Sequence, residues 1–272
     1  MTNLTGPVVV GIDGSAAALH AMQWAVQEAL ARDVALRLVH VVEGPTPHTS
    51  PHQHFDLETQ YGQTALRAAE AALTDTYTPV KIDTALIYGP VDTVLVDESL
   101  DTAMICLGSV GVDKLASTVL GSTALTLATQ AHCPVAIIRD QDQHDLARTD
   151  GWIVAVIDRQ PDSHVVLGHA LDIARRRKAR VLALGVWSAE LGETAYDELD
   201  RQLRDCQQSY PDVHARAVAV PASAPPYLEN WDEPVALVVM GSAEADLVPR
   251  LLGPRHPSGL RYANCSVLVI RD

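Results

Sequence analysis

Ile12-Asp13 closes one β-branched run of this sequence and Ile157-Asp158 closes another, an offset of 145 residues (158 − 13). Toward the end of the first half, His132-Cys133-Pro134-Val135 finds its match in Asn264-Cys265-Ser266-Val267, an offset of 132 (265 − 133). So long a period is not that of a solenoid; it marks a duplicated domain whose second copy is shorter. Most of the missing length follows the second apolar run, where Glu43 to Phe55 has only Ser188 to Leu191 opposite it. The expected domains are residues 1–140 and 150–272, joined by the polar stretch Asp140 to Asp150.

Within each copy, short continuous apolar runs alternate with helical patterns. The first half reads as strands at Val8 to Ile12, Leu36 to Val42, Val80 to Ile87, Ala103 to Leu107 and Val135 to Ile138. Helices are predicted at Ala17 to Arg32, Leu57 to Leu73, Val91 to Leu100 and Ser122 to Gln130. The second half repeats the order, with strands at Ile153 to Ile157, Val181 to Val186, Val213 to Val220, Val235 to Met240 and Val267 to Ile270. Its helices are predicted at Ser163 to Arg177, Gly192 to Ser209, Pro225 to Trp231 and Ser258 to Ala263. Strands apolar on both faces and separated by helices imply an α/β fold, a five-stranded parallel sheet in each half with helices on both sides. Met22, Trp24 and Met104 read as core.

Charge excludes one large class of partner. Residues 1–146 hold 6 Lys/Arg against 17 Asp/Glu, whereas residues 147–272 hold 14 against 17, so the halves carry −11 and −3. A protein that grips nucleic acid by its backbone needs the opposite sign. The one basic run, Arg175-Arg176-Arg177-Lys178, ends a predicted helix, where cations complement the dipole. No apolar run approaches the roughly 18 to 20 residues that span a bilayer. The start lacks the basic segment of a signal peptide, and four cysteines without a CxxC pair fit a reduced, cytoplasmic chain with buried thiols.

Chemistry concentrates at two glycine turns. Gly108-Ser109-Val110-Gly111 follows the fourth apolar run, and Gly121-Ser122-Thr123 opens the helix after it. Glycine lets backbone approach a ligand closely, and the first amides of a helix have no partner within it, so such a place can seat phosphate. In an open parallel sheet the ligand lies outside the carboxyl ends of the strands, which also selects Asp13 after the first strand and Val41 to Glu43 after the second. Asp13 can accept hydrogen bonds from a ribose or an adenine amino group, or cap the helix that Gly14-Ser15 opens. In a half carrying −11, a triphosphate needs short-range donors plus a cation such as Mg²⁺. Lys114 is the one lysine of the loop, and reads either as a phosphate contact or as a solvated side chain. The loop is not a Walker A motif, and Gly11-x-x-Gly14 lacks the GxG spacing of a dinucleotide fingerprint.

Taken together, Gly11-Ile-Asp13-Gly14-Ser15, Gly108-x2-Gly111-x9-Gly121-Ser122-Thr123 and Ala131-His-Cys133-Pro134-Val135 resemble the universal stress protein family, over nearly the whole chain and in its tandem form. The resemblance implies a parallel sheet in the order 3-2-1-4-5 and, for members with the glycine motif, ATP binding with slow or undetectable hydrolysis. It implies that Gly11, Asp13 and the backbone at Val41 face adenine and ribose, and that Gly108, Ser109, Gly111, Gly121, Ser122 and Thr123 hold ribose and phosphates. It also implies that the final strands, at the sheet edges, pair across a pseudo-twofold inside one chain, with further association into a homodimer left open. The expected function is an ATP-binding regulator or sensor of the stress response; the alternative is a slow ATPase or other nucleotide-using enzyme.

The second copy departs from this pattern. Asp158 persists, but Arg159 and Gln160 stand where Gly14 and Ser15 stood, Glu244 takes the place of Gly111, and Pro254 that of Ser122 after Gly253. Proline has no N–H to donate and glutamate adds negative charge, so the second half is expected to bind ATP weakly or not at all. No serine of the glycine segments has a histidine base nearby or sits in a GxSxG elbow, so no catalytic residue is assigned. His48, His52 and His54 fall in the proline-rich stretch Gly44 to His54 and read better as a polar loop than as a metal site.

Overall fold

The computed structural model describes residues 6–44, 51–74, 79–110, 120–139, 151–158, 163–187, 193–221, 223–252 and 265–271. The chain divides into two compact units, Thr2–Asp140 and Gln141–Asp272. The first contains strands β1 (Val8–Gly11), β2 (Leu36–Val42), β3 (Ile82–Tyr88), β4 (Met104–Gly108) and β5 (Val135–Ile138). Between them run helices α1 (Ala16–Arg32), α2 (Pro51–Thr74), α3 (Val91–Glu98) and α4 (Ser122–Gln130). Its strands are parallel and ordered β3-β2-β1-β4-β5, in register Val8 with Leu36 on one side and Val8 with Met104 on the other. Helices α1 and α2 touch one another, as do α3 and α4, covering the two faces of the sheet.

The apolar runs become strands because both of their faces are covered. Val8, Val9, Val10, Met104, Ile105, Cys106, Val135, Ala136 and Ile137 are all fully buried, and the predicted core residues Met22 and Trp24 are buried side chains of α1. Removing a β-branched or leucine side chain of this kind from water contributes about 1.5–3 kcal/mol. The Cys133-Pro134 turn joins α4 to β5: His132 donates its N–H to Ser99 Oγ at 2.8 Å, and the Pro134 carbonyl accepts from Ile105 N–H at 3.0 Å.

The second unit repeats the plan with β6 (Trp152–Ile157), α5 (Ser163–Arg177), β7 (Val181–Trp187), α6 (Glu193–Gln207), β8 (Ala215–Pro221), α7 (Ala224–Glu229), β9 (Val235–Gly241), α8 (Val248–Leu252) and β10 (Ser266–Ile270). Its parallel order is β10-β9-β6-β7-β8. The duplication extends to a backbone detail: α1 and α5 each end in a left-handed residue, Asp33 and Lys178, both with φ 54° and 145 positions apart (178 − 33). Arg175 and Arg176 of the basic run pair with Asp172 at 3.2 Å, a surface role.

Several boundaries shift by one to a few residues, and two stretches differ in kind from expectation. Helix α2 starts at Pro51, so the stretch read as a loop to His54 is helical from that point, with proline in the first turn, where its missing N–H is not needed. After β9 the chain winds into a 3-10 stretch, Ser242–Leu247, and then α8, where a glycine loop was expected. The helix predicted at Ser258 to Ala263 lies outside the described residues, as do the Asp140 to Asp150 linker and His48. Among the described residues no helix is long and apolar enough to cross a membrane, and no group of three His, Cys, Asp or Glu side chains is placed to hold a metal ion.

Candidate functional site

In the first unit, β1 lies between β2 and β4, so the direction of chain progression reverses at β1 and β4; in an open parallel sheet the ligand crevice is expected outside the carboxyl ends of those two strands. Asp13 stands at one wall. The β1–β2 ladder ends where Ile12 N–H donates to the Val39 carbonyl at 2.8 Å; the chain then turns through Gly14, whose φ of 85° suits glycine. Asp13 Oδ1 accepts from Ser15 N–H at 2.9 Å, and Ser15 Oγ caps α1 by accepting from Ala18 N–H at 3.1 Å. Both readings of Asp13 therefore have a place: one carboxylate oxygen fixes the turn, while the half-buried side chain stays at the crevice.

The opposite wall is β4 with the start of α4. Ser109 is buried, its N–H donating to the Ile138 carbonyl at 2.8 Å, and its carbonyl accepts from Gly121 N–H at 2.9 Å. That bond brings the two glycine segments together, as their spacing predicted. It also commits the amides of Ser109 and Gly121 to the fold. Gly121 caps α4 without a side chain, the first helical bond runs from Leu125 N–H to its carbonyl, and no acid lies in the first turn. The amides at Ser122 and Thr123 precede any i−4 partner, and beside them Ser122 is exposed and Thr123 half-buried. By contrast α1 is closed by its own Ser15. The donor end suited to phosphate is thus α4.

The glycines of the motif divide by role. A Cβ on Gly108 would lie 2.8 Å from the Ala17 carbonyl carbon and 2.9 Å from Ala18 N, so glycine lets β4 meet the start of α1. One on Gly11 would meet Leu107 Cδ2 at 2.5 Å, whereas one on Gly121 would meet only Ser109 O at 3.7 Å. Val41, beside Ile87 in the β2–β3 register, is half-buried near the end of β2. Gly111 and Lys114 lie outside the described residues.

Two residues of this wall carried no assignment from sequence. His40, buried on β2, points Nδ1 at the Ile12 carbonyl at 2.6 Å, which fixes a proton on that nitrogen; Tyr61 of α2 donates its hydroxyl to the Asp13 carbonyl at 2.8 Å. A histidine inside the apolar run Leu38-Val39-His40-Val41-Val42 was the visible signal; Tyr61 gave none.

In the second unit the counterparts of Asp13 and Gly111 interact with each other. Asp158 ends β6, and Ser163 Oγ donates to its carbonyl at 2.8 Å. Glu244, in the 3-10 stretch after β9, hydrogen-bonds Asp158; its Oε2 lies 3.1 Å from where a Cβ on Gly241 would be. Burial first, then the hydrogen bond and charge of Asp158, push the Glu244 carboxyl up to about 7. Below that value Glu244 carries a proton that it can donate to Asp158. Arg159, Gln160, Gly253 and Pro254 lie outside the described residues.

Comparison with known proteins agrees with this architecture. The sequence profile of the universal stress protein family matches the chain twice, over residues 5–139 and 152–271. A universal stress protein of Mycobacterium tuberculosis is 42% identical over 267 residues, covering 97% of this chain and 96% of its own. A second from the same organism is 36% identical over 276 residues, with 97% and 96% covered. The crystal structure of a universal stress protein from Archaeoglobus fulgidus shares the fold at a TM-score of 0.67 and 14% identity, over 98% of both chains. With the doubled five-stranded plan, the paired glycine segments and these matches in hand, the chain belongs to the universal stress protein family and carries the family's domain twice.

Proposed function

We propose that the first unit holds ATP as a regulatory ligand with little or no turnover, and that the second unit does not. The observation that carries this reading is the contrast between the two units. In the first, among the described residues, α4 begins without a side-chain cap and without an acid in its first turn. In the second, Glu244 and Asp158, the counterparts of Gly111 and Asp13, bond to each other. A helix start of the first kind accepts phosphate; a carboxyl pair repels it.

The residues present fit the nucleotide by the chemistry of their donors. On this reading Asp13 would accept hydrogen bonds from ribose or the adenine amino group, and Gly11 and the Val41 backbone would face the same nucleoside. The Ser122 and Thr123 amides and hydroxyls would take the phosphates, together with Gly108, Ser109, Gly111 and Gly121 of the motif. Mg²⁺ would offset phosphate charge in a half that carries −11. On this reading the residues bind and orient; the output is occupancy, which a stress-response regulator can read as a conformational state.

Heating purified protein and identifying the released small molecule by mass spectrometry tests the proposal. ATP is the expected product, near one per chain, with no phosphate release above background on incubation. Gly111→Glu, which copies the second half, is expected to abolish retention without unfolding the protein. Retention of ATP by that variant, or steady phosphate release by the wild type, contradicts the reading.

A further inference from the structure

Helix α2 carries in its interior a glycine, Gly62, a residue of low helix propensity. The reason lies beneath it: a Cβ there would stand 2.3 Å from His40 Cδ2 and 2.7 Å from Leu86 Cδ1. Glycine therefore lets α2 lie close upon β2 and β3 over a buried imidazole. That approach places the preceding residue, Tyr61, over the Asp13–Gly14 turn. Its ring meets His40 edge-on at 5.9 Å between centroids, and its hydroxyl donates to the Asp13 carbonyl at 2.8 Å.

The two aromatic side chains thus bond two successive carbonyls, Ile12 by His40 and Asp13 by Tyr61, just where the strand ladder stops. Downstream, Asp13 Oδ1 holds Ser15 N–H, so the main chain on both sides of the Asp13 side chain is fixed. Fixing that main chain sets the direction of the carboxylate. A Cβ on Gly14 would lie 2.4 Å from the Tyr61 hydroxyl, so the turn and the tyrosine also constrain each other sterically.

From this geometry we infer that Tyr61 is a positioning residue of the nucleotide site: supported by His40 and by the close approach at Gly62, it holds the Asp13 turn in the binding orientation before the ligand arrives. The inference rests on the proposed function, since it assigns Asp13 to the nucleoside. Tyr61 itself acts through Asp13. A binding group held in place beforehand loses less freedom on association, so its loosening weakens binding without removing a ligand contact.

Tyr61→Phe keeps the ring and removes the hydroxyl. Two measurements on full-length protein read its effect. In the ligand-free state, hydrogen exchange of the Ser15 amide is expected to accelerate by about fivefold or more, because its acceptor is no longer held. With a fluorescent ATP analogue, Kd is expected to rise about fivefold to tenfold, the size of one lost hydrogen bond. In the Asp13→Asn background the same change is expected to raise Kd less than twofold, because the tyrosine then has no carboxylate to orient. Unchanged Ser15 exchange, or an equal effect of Tyr61→Phe with and without Asp13→Asn, overturns the positioning role. A wild-type protein that binds no ATP analogue overturns the nucleotide reading, and this role with it; the exchange measurement still reports separately whether the tyrosine holds the turn.

Discussion

Glu244 and Asp158 are hydrogen-bonded carboxyl groups at the strand ends of the second unit, and in sequence they answer two candidate-site positions of the first: Asp158 for Asp13, Glu244 for Gly111. The two copies thus differ at a carboxyl group that a titration can isolate.

Because the folded Glu244 carboxyl is raised to about 7, the folded state binds its proton more tightly than the unfolded chain does. The stability this contributes is complete below the unfolded value and is lost as pH rises through about 7. After allowance for its partial exposure to solvent, the change between about pH 5 and about pH 8 is on the order of 1–2 kcal/mol. Urea unfolding at the two pH values checks it: Glu244→Gln, which keeps a donor for Asp158, is expected to flatten the difference. An identical pH dependence in wild type and variant contradicts the raised Glu244 carboxyl.

The motif glycines should separate on substitution. Gly108→Ala drives a Cβ against Ala17 and Ala18 backbone at 2.8–2.9 Å and is expected to destabilise the first unit by about 1–3 kcal/mol. Gly121 has φ −64° and open space, so Gly121→Ala is expected to cost under about 1 kcal/mol, the size of a helix-cap change. Thermal unfolding of the two variants side by side measures the gap.

Glu28 is fully buried on α1 and paired with Arg32 one turn on. Removing the cation takes a charged hydrogen-bond partner from a buried carboxylate, so Arg32→Ala is expected to cost about 1–3 kcal/mol. Adding Glu28→Gln to that variant should recover part of the loss. A double-mutant cycle from denaturant midpoints gives the coupling.

Much of this architecture is legible in the residues themselves. Val135–Ile138, Ser122–Gln130 and Ser163–Arg177 coincide with their predicted bounds because apolar runs, a cap residue and a basic last turn mark them locally. Ser15 was readable as a cap for the same reason. Other features depend on the approach of distant segments, which no local pattern encodes. Pro51 and its histidine-rich neighbours look like a loop in isolation, yet they extend α2. Gly108 reads as a ligand glycine, yet its nearest demand is α1. Tyr61 reaches Asp13, 48 positions away, only because Gly62 lets α2 settle on His40. Glu244 could be seen to break the glycine motif, but not to bond Asp158.

Calorimetric titration of nucleotide-stripped protein with ATP in the presence of Mg²⁺ tests the central claim most directly. Saturation at one nucleotide per chain is expected, weakened but still measurable in Asp13→Asn, lost in Gly111→Glu and unchanged in Glu244→Gln. Saturation at two per chain, or no binding at all, contradicts it.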